Sequence, residues 1–264
     1  MPAPLRAIYT MWYRDTLRLL RERNRIIGML GQPLIYFLIV GQGISSAMGF
    51  RGAPPGLNIS YLQFMYPGIL AMSVLFTSIS SGISIIWDRE FGFLKEVLVA
   101  PVPRWATAIG KALGGSTMAM AQAVILLLLA PLAQISFDFI TVAQLLAILF
   151  LISLALTFFG ITIASYMETM EGFQMIMNFL IMPLYFLSGA MFPMQNVPAW
   201  MAFLMRLDPL TYGVDALRLL VYRNADPQIL AFLVRYDLKT DLLVLLLLVL
   251  ALGAWGTWSF SRQE

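Results

Sequence analysis

Residues 242–252 read LLVLLLLVLAL, an apolar run with no charge and no alternating polar partner. A strand with one wet face would alternate with a period of two, and a membrane barrel is assembled from such alternating segments. An uninterrupted run is the pattern of a helix surrounded on all sides by lipid or protein, and no Asp, Glu, Lys or Arg interrupts residues 242–261. A helix rises about 1.5 Å per residue, so roughly twenty apolar residues cross a hydrocarbon layer of about 30 Å. Its backbone hydrogen bonds close within the helix, as the absence of water there requires.

Working outward from that run, residues 26–50, 52–87, 112–137, 139–167 and 172–205 are also free of charge. The chain is 60% hydrophobic and only 12% charged, with a mean hydropathy of +0.81; soluble domains carry about 25% charged residues. The sequence therefore predicts an all-α membrane protein with six transmembrane helices, at 26–48, 61–86, 107–134, 142–166, 174–192 and 241–260. No internal repeat or linker divides it, so residues 1–264 read as a single transmembrane domain. The chain has neither cysteine nor histidine, which excludes disulfides, thiolate or imidazole metal sites and His-dependent triads.

Residues 1–25 form the approach to the first span. Arg14, Arg18, Arg21 and Arg25 recur at helical spacing, with Leu5, Ile8, Trp12 and Leu19 on another face and Met11 and Leu17 blurring the stripe. This predicts an N-terminal amphipathic interfacial helix on anionic membrane lipids; a solvated helix before the span is the other reading. Ser45 and Ala47 loosely match a cleavage pattern, but the segment preceding the apolar run is too long for a signal peptide, so the first span is expected to be retained. With both termini inside, eleven of the 17 basic residues fall in cytoplasmic segments and six in outer ones. That is the positive-inside bias, and it predicts cytoplasmic N and C termini. The basic residues cluster beside an apolar span and leave no free basic domain, so nucleic acid is not an expected partner.

Residues 193–240 are neither a clean span nor a simple loop. Asn196 before Pro198, Asp208 before Pro209 and Thr211, and Asp226 before Pro227 each place a capping group or an N1 proline ahead of an apolar run. Three short helices are expected, either re-entrant near an exit or forming a small outer cap.

Chemistry-bearing residues are sparse. No Gly-rich loop with Lys and Ser/Thr appears, so the chain has no P-loop for ATP and is not expected to be an enzyme. The predicted spans lack the embedded charges that ion-coupled carriers use; Lys111, Glu168 and Asp241 lie near predicted span ends, where snorkelling accounts for them. Between the second and third predicted spans, residues 87–106 form a charged and then apolar loop. Asp88 and Glu90 are positioned to cap a short helix exposing Phe91, Leu94 and Leu98, suited to a partner groove or to lipid headgroups. In the fifth span Pro183 removes a backbone hydrogen bond, Ser188-Gly189 weakens the helix, and Met175, Met177, Met182 and Met191 with Tyr185 and Phe186 offer a soft, polarizable surface. Ordinary Met-rich packing explains any one of them equally.

WDREFGFLKEVLVAPVP at 87–103, and FLSGAMFPMQNVPAW followed by LDPLTYGVDALR at 186–218, resemble the ABC-2 type permease family. With the basic N-terminal helix, the six spans and the long final outer segment, the resemblance covers nearly the whole chain. It implies an exporter permease in the plasma (inner) membrane of a prokaryote, paired with a second permease copy as a homodimer and binding two copies of a cytoplasmic ABC ATPase. ATP and Mg would sit on that ATPase, with no cofactor on this chain. The resemblance maps a coupling helix onto Asp88, Arg89, Glu90, Phe91, Gly92, Leu94, Lys95 and Glu96, and a second contact onto Glu168 and Glu171. Met182, Pro183, Tyr185, Ser188, Gly189 and Met191 are the candidate wall of the translocation pathway. The expected cargo is an amphiphile (drug, lipid or glycolipid), as in the multidrug, antibiotic and lipo-oligosaccharide branches. The polysaccharide branch differs in its N-terminal pattern. The rival readings are an ATP-independent channel or lipid scramblase, and a non-transporting subunit that anchors another enzyme.

Overall fold

The computed structural model describes residues 2–21, 23–43, 59–92, 101–194 and 197–262, and every regular element among these is helical. In chain order they are α1 (Ala3–Arg21), α2 (Arg23–Ile35) continued by a π-helical turn (Tyr36–Gly41), α3 (Tyr61–Ser80), α4 (Ile83–Glu90), α5 (Arg104–Leu127), a 3-10 turn (Ala130–Ala133), α6 (Phe139–Tyr166), α7 (Met170–Leu187), α8 (Ala199–Leu207), α9 (Pro209–Val221), α10 (Pro227–Leu233) and α11 (Leu238–Ser261).

Among the described residues, five helical runs are long and apolar enough to cross a membrane: Tyr61–Glu90, Arg104–Leu127, Phe139–Tyr166, Met170–Leu187 and Pro227–Ser261. At the predicted first span there is a shorter apolar helix, Leu30–Gly41; residues 44–48 of that span lie outside the described residues. Local chemistry sets the boundaries. Ser60 and Gln63 close a capping box at the start of α3. Asp208 and Asp226 accept the Leu210 and Gln228 N–H groups ahead of α9 and α10, each with proline at the first helical position; Pro198 precedes α8, while Asn196 is outside the described residues. Two predicted spans overshoot. α5 stops at Leu127 rather than 134, because Pro131 and a left-handed Gln134 close the chain into a 3-10 turn. α7 ends at Leu187 rather than 192, because Gly189 adopts φ +76°, a conformation glycine takes without a Cβ clash.

α3 is the central helix: every residue from Phe64 to Leu75 is buried. It packs between α5 and α6; α11 lies along the far side of α6, and α9 bridges α3, α6 and α11. In lipid, helices gain little from burying apolar surface against one another, so close backbone approach through small residues becomes the main source of contact. A Cβ on Gly82 would sit 2.5 Å from the Gly160 carbonyl oxygen, and one on Gly160 would strike the Ile79 carbonyl oxygen. The α3–α4 joint is thus in backbone contact with α6.

α1 docks on α5 in the same manner. A Cβ on Gly110 or Gly114 would come within 2.7 Å of Met11 Cβ or 2.8 Å of Asp15 Cβ, and Trp12 Nε1 donates to Thr117 Oγ1 at 2.9 Å. The predicted apolar stripe is rotated accordingly: Met11 and Leu19 are buried and Leu5 is exposed. At the periphery, Met175, Phe179, Met182 and Phe186 of α7 and Leu243, Leu246, Leu247 and Leu250 of α11 form exposed apolar faces.

Candidate functional site

α3 and α4 read as one span interrupted at Ser81-Gly82, and the last turn of α4 carries Trp87, Asp88, Arg89 and Glu90. Helical phase turns Asp88 inward, where it is 7% exposed. Its Oδ2 accepts from Lys111 Nζ of α5 at 2.5 Å and from Arg14 Nη2 of α1 at 3.0 Å. Arg14 also donates to Asp15 Oδ1 through Nε at 3.1 Å and Nη2 at 3.0 Å. Lys111 is 3% exposed and reaches Ser84 Oγ at 3.4 Å. Two carboxylates and two cations therefore cancel where three helices meet. Removing charge from water is costly unless each ion keeps its partner and its hydrogen bonds, and this arrangement supplies both. Burial works to lower the Arg14 pKa, but Asp15 and Asp88 outweigh it and raise the value above the ordinary arginine range.

The same turn is tied to the α6–α7 connection. Arg89 Nη1 donates to the Met167 carbonyl oxygen at 2.7 Å, Trp87 Nε1 donates to Met170 Sδ, and the Arg18 guanidinium lies 4.6 Å from the Trp87 ring centroid, a cation–π distance. Beyond these fastenings Glu90 is exposed and Phe91 is 79% exposed. Gly92 follows with φ +76°. Glu168 is exposed on the neighbouring connection, and Glu171 is exposed on the first turn of α7.

Two sequence expectations are corrected here. Asp88 and Glu90 close a helix at its C-terminal end rather than capping one at its start, because the helix of the second span runs on unbroken in hand through Ser81-Gly82 to Glu90. Leu94, Lys95, Glu96 and Leu98 lie outside the described residues. Lys111 does not snorkel: its ammonium is held inward by Asp88. Asp241 is likewise fully buried, with no hydrogen-bond partner for either carboxyl oxygen among the described residues, while Glu168 is exposed.

The fifth-span residues divide between two faces of α7. Phe173, Met177, Ile181 and Tyr185, spaced four apart, face the protein, whereas Met182 and Pro183 are exposed. Tyr185 packs edge-on against Tyr36 with ring centroids 6.3 Å apart and donates to Met191 Sδ at 3.3 Å. Ser188 donates to the Tyr185 carbonyl oxygen, and the Gly189 carbonyl oxygen accepts from buried Arg218 Nη2 at 2.6 Å. The six therefore do not share one surface. Sequence reading missed the partners Arg14 and Lys111, and the Arg218–Gly189 bond. One usable signal was present: Gly110 and Gly114 flank Lys111 in a G-x-x-x-G pattern, which marks close helix contact.

An all-helical bundle with these lengths and hydropathies is that of a multi-pass membrane protein. Residues 6–222 match the ABC-2 type transporter family, and the chain belongs to that family. Among its relatives, a protein named as a transport permease, ycf38 of Cyanophora paradoxa, is 30% identical over 82% of this chain and 74% of its own length. The inner membrane transport permease YadH of Escherichia coli K12 is 27% identical over 80% of this chain and 81% of its own. YbhR of the same organism, named as a multidrug ABC transporter permease, is 29% identical over 64% of this chain and 46% of its own. The chain is thus the membrane component of a transporter.

Proposed function

We propose that this chain is the permease subunit of an ATP-driven exporter, moving an amphiphile (drug, lipid or glycolipid) out of the cytoplasm of a prokaryote with energy from a separate ABC ATPase. In this reading the chain spans the inner membrane six times with both termini inside, and it acts as a homodimer carrying two ATPase copies. The observation that carries the reading is the fastening of one exposed turn. Glu90 and Phe91 project from a helix end locked by Asp88 to α1 and α5 and by Arg89 to the α6–α7 connection. A push delivered to that turn reaches α1 and α5 directly and α6 and α7 through the connection between them. Glu168 and Glu171 stand on the same connected patch as a second contact, whereas Asp88 is the anchor beneath it. The cluster is internally neutral and fully partnered, which suits an anchor better than an ion-carrying site.

The test is affinity purification of the tagged chain in mild detergent, with identification of co-purifying proteins and an assay of ATP hydrolysis. A stoichiometric ABC ATPase is expected. Purification of the chain without one, together with ATP-independent flux in vesicles, would instead support a channel or scramblase.

A further inference from the structure

α7 holds to the bundle by one narrow stripe. Its buried side chains are Phe173, Met177, Ile181 and Tyr185, and Pro183 interrupts its backbone hydrogen bonding. Its ends are fixed by other helices. Ahead of the helix, Arg89 Nη1 of α4 donates to the Met167 carbonyl oxygen at 2.7 Å. Beyond it, Arg218 Nη2 of α9 donates to the Gly189 carbonyl oxygen at 2.6 Å. An arginine from elsewhere in the bundle thus grips a backbone carbonyl at each end of α7.

The Gly189 end is closely seated. Gly189 takes φ +76°, the Tyr61 hydroxyl of α3 donates to the Met191 carbonyl oxygen at 3.2 Å, and a Cβ on Gly68 of α3 would lie 2.7 Å from Ala190 Cβ. Arg218 is 2% exposed, with its guanidinium 4.4 Å from the Phe64 ring centroid. A guanidinium carries five N–H donors, yet Nε reaches no acceptor among the described residues. Asp215, one turn earlier on α9, accepts instead from the Arg235 and Tyr236 backbone N–H groups. A carboxylate partner would make the grip costly to break, because release would strand a buried anion. A carbonyl and a ring face release the arginine without that cost.

We infer that Arg218 is a positioning residue for transport: it latches the Gly189 end of α7 against α3 and α9, and lets go of the Gly189 carbonyl oxygen when the pathway opens. The inference rests on the exporter reading, in which α7 walls the pathway and the stroke enters at the end held by Arg89. A helix is stiff along its axis, so motion imposed at its start reaches the far end only if that end is freed. The single stripe of buried side chains offers little resistance in between.

The test measures amide hydrogen exchange by mass spectrometry on the full chain in nanodiscs, alone and with its co-purified ABC ATPase. Arg218→Met removes the donor and the buried charge together. It should speed exchange across residues 188–192 about tenfold or more, the worth of one hydrogen bond to a charged group, while residues 168–173 at the end held by Arg89 keep the parent rate. Arg218→Leu stands in should Arg218→Met misfold. In the unsubstituted complex, ATP trapped with vanadate should raise exchange across 188–192 by a similar factor, a response that a bond of purely structural purpose would not give. Equal acceleration at both ends, acceleration at neither, or exchange across 188–192 indifferent to trapped ATP would each overturn the latch. The two readings fail separately. Acceleration confined to 188–192 in a chain that recruits no ATPase removes the exporter and keeps Arg218 as the fastening of α7, whereas even exchange in a complex that hydrolyses ATP removes the latch alone.

Discussion

Removing Asp88 should destabilise the protein more than removing either of its partners, and removing it together with Lys111 should largely restore stability. In Asp88→Ala the Lys111 ammonium is left 3% exposed with only the Ser84 hydroxyl at 3.4 Å, while the Arg14 side chain is 31% exposed and keeps Asp15. Almost all of the penalty therefore falls on Lys111, and breaking a buried pair in this way costs about 3–5 kcal/mol. In Lys111→Met the Asp88 carboxylate retains Arg14 at 3.0 Å, so the loss should be nearer that of one charge-assisted hydrogen bond, about 2 kcal/mol. Asp88→Leu combined with Lys111→Met replaces the pair by apolar side chains and should lie within about 1 kcal/mol of the parent. Reversible unfolding in mixed micelles with increasing dodecyl sulfate measures all three. Single substitutions within about 0.5 kcal/mol of the parent, or a double variant equal to the sum of the singles, would refute the reasoning. The double variant also separates roles, because ATPase stimulation that survives in it identifies Asp88 as an anchor and not a contact.

Three further outcomes are expected. Glu90→Lys with Phe91→Ala should cut partner-stimulated ATP hydrolysis about tenfold or more while leaving unfolding in mixed micelles within about 0.5 kcal/mol, since both side chains are exposed; unchanged hydrolysis would remove the contact role. Gly160→Val places carbons against the Ile79 carbonyl oxygen and should destabilise by about 3 kcal/mol or more, read as trypsin sensitivity in nanodiscs, because a backbone neighbour cannot move aside. Asp208 is 4% exposed, and burial pushes its carboxyl up to about 7 from 3.8 despite the Leu210 N–H bond. Its folded form holds a proton that the unfolded form has lost, so stability should fall as pH rises from about 4 to 7. Asp208→Asn keeps the cap and should flatten that slope; an unaltered slope places the titration elsewhere.

What was legible in the sequence followed from composition and from turn chemistry. Long charge-free runs gave the helical class, and Asp-Pro pairs at Asp208 and Asp226 gave two helix starts, because each signal is read within a few residues. The α7 end was misjudged for a local reason, the left-handed Gly189, which an apolar run conceals. The site failed to appear for a different reason. Arg14 and Asp88 are 74 residues apart and Asp88 and Lys111 are 23 apart, and only the assembled arrangement of α1, α4 and α5 joins them. Read singly, Arg14 belongs to an amphipathic stripe, Lys111 to a span end and Asp88 to a loop. Burial changes the meaning of all three, and burial is a property of the assembled bundle.

The backbone contact at Gly82 and Gly160 gives the Tyr61–Glu90 run two unequal arms. The chain stays right-handed helical through Ser81 and Gly82, with 20 residues of α3 on one side and 8 of α4 on the other, or about 30 Å against about 12 Å at 1.5 Å per residue. Rocking about that fulcrum turns a displacement of about 2 Å at Glu90 into one of about 5 Å, oppositely directed, at Ser60, by the ratio of those lengths. Nitroxide distances to α6 measured from both ends, with and without nucleotide on a partner ATPase, would give the ratio directly. A short stroke at one membrane face would then open a gap of side-chain width at the other.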